Sequence, residues 1–476
     1  MILVLVWLML LQGAAPSPAE LLDRYLQAGQ EREAAELVGK LLEERNLPVE
    51  VERAVGGACV RRGQPALAVR FLARAAQRHP DPALRADLAA AQYLAGSFAD
   101  SAATLEAMAR GGRLPPPLVS LRGMCALRLG RRDEALRLLR AALAADPNEG
   151  TANFYLGTLA AESGDNAAAV RYLEVAARTY RDPHAARYNL ALALYAAGRW
   201  GEGVALLERM IAEGAGGAAE VENLLARGYD RLDRVKEAVE AYQRAIRLEP
   251  KAPSHYFDLG LMALRRRSYE LAQAVLETAV RNLPEDRNLA LALGTAYQLR
   301  GQMERAQRTF LELRDRRPSD SLVYVYLGNS YFEAGRFEAA VEAFTKATAL
   351  DPRNGRAFYQ AAVSLVKLGR EAEPRTRQFL ETAVKLDPKL APAYYQLAKL
   401  EAESDAARAQ KFVARSLELD PDLSEAHFLL ARLCRQRGDS ECAARALRRY
   451  EELRLGERER LERDRVKGIL YTLERP

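Results

Sequence analysis

The sequence predicts an all-α solenoid of about thirteen stacked helix-turn-helix pairs. Prolines recur at Pro250, Pro284, Pro318 and Pro352, each 34 residues after the last, and then at Pro388 and Pro421 with spacings of 36 and 33. Aligning the chain on those prolines brings columns of apolar and small residues into register at helical spacing. The composition, 49% hydrophobic and 28% charged with a mean hydropathy of −0.25, is that of a folded chain and excludes both disorder and a polytopic membrane protein. A length of 476 residues suits either three ordinary domains or one long array, and the period chooses the array.

The first element stands apart from the rest. Ile2 to Leu11 is an unbroken apolar run followed by small residues and prolines from Gly13 to Ala19. It is too short to span a bilayer, which takes roughly 20 residues. Its length matches a secretory h-region with Ala14 to Ala19 as the processing zone, so residues 1–19 are expected to be a signal peptide or apolar leader. The alternative is a buried first helix that caps the array. No Cys follows the run directly, which excludes a bacterial lipid anchor there.

The repeats come next, in an N-terminal array over 20–218 and a C-terminal array over 219–456. In residues 321–354 the columns are Tyr324, Leu327, Gly328, Tyr331, Gly335, Ala340, Phe344, Ala347 and Pro352. The preceding copy supplies Ala290, Leu293, Gly294, Tyr297, Gly301, Ala306, Phe310, Leu313 and Pro318. Leu327, Gly328 and Tyr331 share one face of a first helix; Ala340, Phe344 and Ala347 share one face of a second. Gly328 and Ala340 let the two backbones approach, with the rings of Tyr331 and Phe344 filling the space around the contact. Gly335 ends the first helix, where a left-handed cap is cheapest for Gly. Asp351-Pro352 ends the second, because Pro cannot continue a helix.

Three places depart from the pattern. Glu213 to Ala218 replaces the proline corner with three Gly in four residues, a soft joint between the arrays; Gly111 to Pro117 is Gly-rich and then stiff; and Glu371 to Pro374 lengthens one turn inside a pair. Residues 457–476 alternate acidic and basic residues around Leu461, Ile469, Leu470 and Leu473, as expected of a capping helix with a polar outer face.

These columns resemble the tetratricopeptide repeat (TPR) family, whose pattern is a large residue, Leu-Gly, Tyr, then Ala, Phe, Ala and Pro at the same offsets. The resemblance covers nearly the whole chain and implies a right-handed α-solenoid. It also implies that the first helices line a concave groove through two rows of positions. One row reads Phe154, Tyr188, Asn223, Phe257, Leu291, Val325, Tyr359, Tyr395 and Phe428. The other reads Thr158, Leu192, Arg227, Leu261, Thr295, Asn329, Val363, Lys399 and Arg432, turning polar and basic toward the C-terminus. Such a groove is expected to take an extended peptide or partner helix with apolar anchors, its basic end favouring an acidic segment. The chaperone-tail clamp of some family members needs Lys in the first row, and none is there.

Catalysis finds little room. There is no phosphate-binding Gly-rich loop before a Lys, no Gly-x-Ser-x-Gly elbow and no His-Glu-x-x-His, so no catalytic residue, cofactor or metal is expected. His79, His184, His255 and His427 fall in different repeats. The 70 Lys and Arg exceed the 64 acidic residues by six, and they are interleaved along the chain, which gives no nucleic-acid footprint. Cys434 and Cys442 flank the turn of the last pair: a disulfide if the chain is exported, or otherwise a small core residue and a helix-start residue. The expectation is thus a non-enzymatic, exported scaffold binding a protein or peptide at the cell envelope of a bacterium, periplasmic or secreted, touching the membrane only through an uncleaved leader. The alternative is a substrate-recruiting or assembly subunit of an enzyme system such as glycosyl transfer or polysaccharide export.

Overall fold

A computed structural model of the chain describes residues 16–44, 46–214, 218–454 and 473. The apolar run Ile2 to Leu11, the glycines at 216 and 217, and the expected cap except Leu473 lie outside the described residues. Among the described residues there are 26 α-helices and no strands, from α1 (Pro18–Gln27) to α26 (Ser440–Arg454), which make the thirteen predicted pairs. The chain divides into two compact units, Met1–Gly217 with Arg227–Asp233, and Ala218–Ala226 with Arg234–Pro476. Within each, consecutive helices pack on one another, as α10 (Asn166–Thr179) does on α9 (Gly150–Glu162), and α20 (Phe337–Leu350) on α19 (Ser321–Glu333).

The contact inside a pair is a side chain seated where a glycine leaves room. In the first unit a Cβ on Gly157 would lie 2.6 Å from Leu173, and one on Gly56 would lie 2.8 Å from Leu72. In the second, Gly328 faces the fully buried ring of Phe344 at 2.6 Å, Gly294 faces Phe310, and Gly260 faces Leu276 at 2.8 Å. Gly328 therefore makes space for a ring from the second helix, a more specific role than allowing backbones to approach. Ala340 and Ala347, also fully buried, complete that face of α20.

The turns inside the pairs follow one rule. Gly335 has φ +71° and donates its N–H to Phe332 O, and glycines in the same left-handed conformation occupy the corresponding turn of most other pairs. Two non-glycines take that position instead, Asp233 at φ 62° and Arg267 at φ 59°. First helices open on side-chain caps where the corner carries Asp or Asn: Asp286 accepts from Leu289 N at 2.9 Å, and Asn354 from Ala357 N at 3.1 Å. The lengthened turn, residues 368–373, joins α21 (Gly355–Lys367) to α22 (Pro374–Leu386), and Pro374 starts the second of these as a first-turn proline.

Leu473 is the one described residue of the expected cap. It is 4% exposed and belongs to the apolar cluster built by α15 (Pro253–Arg265), α16 (Tyr269–Asn282), α17 (Arg287–Leu299), α18 (Met303–Arg316), α19 and, through Ala343, α20. The cluster also contains Leu261, Leu264, Leu291 and Leu299.

Candidate functional site

The two predicted rows fall on first helices throughout, and the structure gives their members very different surroundings. In the first unit Phe154, on α9, is half-buried and stacks on Tyr180 at 4.3 Å between centroids, with Tyr155 edge-on at 5.4 Å. Burial pushes the Tyr155 phenol up to about 12, so it stays protonated and apolar in character at neutral pH. Thr158, Tyr188 and Leu192 are half-buried, and Arg227 is exposed.

In the second unit the rows split into three stretches. Asn223, on α13 (Ala219–Arg231), donates its Nδ2 to Asp258 Oδ2 at 2.9 Å. Phe257 is half-buried against the α15 to α19 cluster, and Leu261 is buried. On α17 Leu291 and Thr295 are 2% and 0% exposed, while Val325 and Asn329 on α19 are half-buried. Farther on, Tyr359, Val363 and Tyr395 are half-buried, and burial raises both phenol pKa values, with the Glu425 carboxylate adding to the effect. Phe428, on α25 (Ser424–Gln436), is 51% exposed and its ring leans on Tyr450 at 5.1 Å. Lys399 and Arg432 are exposed and make no ion pair among the described residues. This last stretch combines aromatic surface with two cations and one carboxylate, a face suited to a partly apolar, partly acidic segment.

Sequence reasoning missed a hollow on the first unit. Ala54, Gly57, Ala90 and Ala91 leave a space of about 510 Å³ between α3 (Val49–Arg61) and α5 (Pro82–Leu94), edged by Glu50, Arg61 and the Arg53–Asp87 ion pair at 2.6 Å. Its signal in the sequence is the run of small residues on two successive first helices, a pattern that gives no chemistry to search for. Also missed were buried ion pairs between a first helix and its second: Glu52 with Arg74 and Arg78, and Glu222 with Arg244 at 2.9 Å. They join the helices of a pair, and no group of three metal-ligating side chains occurs among the described residues. His427 Nε2 lies 2.9 Å from Pro421 O, and His255 is buried 3.7 Å from Glu249.

Family models agree with this repeat geometry. Models of the tetratricopeptide repeat match residues 121–183, 160–228, 223–287, 263–321, 291–355, 326–391 and 424–449, together more than half of the chain. The chain belongs to the tetratricopeptide repeat family. Among solved structures, yeast Tom70 is similar over 90% of this TPR chain and 95% of its own, with 14% identity and a TM-score of 0.41. The Cut9 and Hcn1 hetero-tetramer of the APC/C is similar over 87% of this chain and 96% of that one, at 14% identity and a TM-score of 0.39. YrrB, a TPR protein with an unusual peptide-binding site, covers 39% of this chain with 95% of its own, at 21% identity and a TM-score of 0.31. No curated protein matches the chain.

Proposed function

We propose that this TPR protein is a non-enzymatic scaffold that holds a protein or peptide segment on the first helices of its second unit, and that it works at the cell envelope. The observation that carries the binding reading is the stretch from Tyr359 to Arg432. Phe428 is half exposed, Tyr359 and Tyr395 are half-buried, and Lys399 and Arg432 are exposed. A segment with aromatic or aliphatic anchors and an acidic flank gains from both features, and the exposed ring is where truncation should cost most. Two features support the location: the apolar run Ile2 to Leu11, and the disulfide that joins Cys434 to Cys442, a bond favoured in oxidising compartments. No described helix is long and apolar enough to cross a membrane.

Crosslinking and mass spectrometry on the native envelope fraction tests the reading. The expected result is an envelope partner whose binding falls at least about tenfold in Phe428→Ala and in the Tyr359→Ala, Tyr395→Ala double variant. Unaltered binding by folded variants would remove the groove, and recovery of cytosolic partners alone would remove the location.

A further inference from the structure

The helix α17 is buried on every side. All residues from Leu289 to Leu299 are buried, including Leu291 at 2%, Thr295 at 0%, Gln298 at 2% and Leu299 at 8%. Amphipathic helices in a stack bury the stripes that meet their neighbours and leave a face in solvent. The positions of Leu291 and Thr295 are such a face in this protein. Their counterparts Phe154 and Thr158, and Tyr188 and Leu192, are half-buried in the first unit; Lys399, Phe428 and Arg432 are exposed in the second. Something outside the helix pairs therefore covers α17, and the cluster that contains Leu291 and Leu299 also contains Leu473, itself 4% exposed.

We propose that the groove of the second unit over α15 and α17 is a binding site for the protein's own C-terminal segment, which docks in cis with Leu473 as its anchor. The proposal deepens the groove reading by naming an occupant. Three features fit it. Leu261, Leu264, Leu291 and Leu299 share one buried cluster with Leu473, an aliphatic environment that suits an aliphatic side chain. Thr295 turns its hydroxyl back onto Leu291 O at 2.8 Å, which leaves that part of the floor with no free donor and suits it to an apolar guest. The Gln298 Nε2, by contrast, is buried with no hydrogen-bond partner, a cost that a competing segment avoids if it brings an acceptor to that point. The C-terminal segment is thus a displaceable occupant, and it narrows the groove open to partners to the stretch from Tyr359 to Arg432.

Thiol accessibility in the full-length chain tests this. Thr295→Cys is close to the native residue in size and places a thiol at a fully buried position, so it reports on the cover over α17. Its modification by a maleimide is expected to be slow in the otherwise unaltered chain and to accelerate by at least about tenfold when Leu473→Asp is added, the scale set by burying one leucine. Phe428→Cys, at an exposed position, is expected to react at one fast rate with or without Leu473→Asp, showing that the fold is intact. A peptide of residues 464–476 is expected to restore protection of Thr295→Cys in the Leu473→Asp chain, whereas the same peptide carrying Leu473→Asp is not. Fast reaction of Thr295→Cys with Leu473 in place would overturn the proposal, and so would equally slow reaction in both chains. None of these outcomes involves a partner at Tyr359 and Tyr395, so this site and the partner-binding face fail independently.

Discussion

A single backbone conformation recurs through the stack, and the residues that occupy it differ in cost. At the turn within a pair, Gly335 sits in the left-handed region at little steric expense, and Arg267 sits there against the preference of any side chain with a Cβ. Arg267→Gly is expected to raise stability by up to about 1 kcal/mol, and Gly335→Ala to lower it by about as much, both read from denaturation midpoints. The Gly328 and Phe344 contact makes a second residue-scale prediction. Because no Cβ lies opposite the ring, Phe344→Ala leaves a hole that α19 cannot fill and should cost about 3 to 5 kcal/mol. Phe344→Leu should cost far less, since Leu173 and Leu276 fill the same place opposite Gly157 and Gly260. Glu401 is a third case. Its buried carboxylate meets Arg377, Arg408 at 3.2 Å and Ser404, and these partners hold its pKa below the ordinary 4.5. The folded form is therefore favoured above the unfolded pKa, and that contribution is lost as pH falls through the lower folded value. Acid titration should show a shallower loss of stability below pH 4.5 in Glu401→Gln than in the native chain.

At the scale of the helix, the sequence was most legible where local chemistry decides the outcome. Pro352 and Gly335 mark ends because one lacks an N–H and the other tolerates a positive φ, and both rules act within a few residues. The pairing of Gly328 with Phe344 was visible as a column, although its meaning needed the geometry. The burial of Leu291 and Thr295 was not legible at all. Their row position marks them as groove residues, and the leucine that shares the cluster of Leu291 lies far downstream at position 473, beyond the reach of any periodicity. The hollow beside Gly57 and Ala90 was silent for another reason: small residues announce space without naming what fills it. The disulfide between Cys434 and Cys442 joins α25 to α26, and its removal is expected to weaken that pair by about 2 to 3 kcal/mol from loop closure alone. Hydrogen exchange in Cys442→Ser should show faster opening of α25 and α26 with α9 and α10 unchanged.

Across the whole molecule, stability is a sum of pair terms and nearest-neighbour contacts. A substitution such as Phe344→Ala should therefore weaken α17 to α22 first and leave the first unit's exchange rates as they were. The Gly-rich segment 213–218 carries the remaining prediction. With three Gly in four residues and no proline corner, it is where limited proteolysis should cut first. Early cutting elsewhere, with this segment intact, would count against a soft joint.

The cross-link in the last pair has a consequence beyond the strength of that pair. A stack opens from its ends, because a terminal pair has a neighbour on one side only. Tying α25 to α26 makes the last of the described pairs harder to open while the bond is intact and easier once it is reduced. The redox state of the surroundings then sets how readily this pair opens, so the same chain would resist unfolding there differently in different compartments.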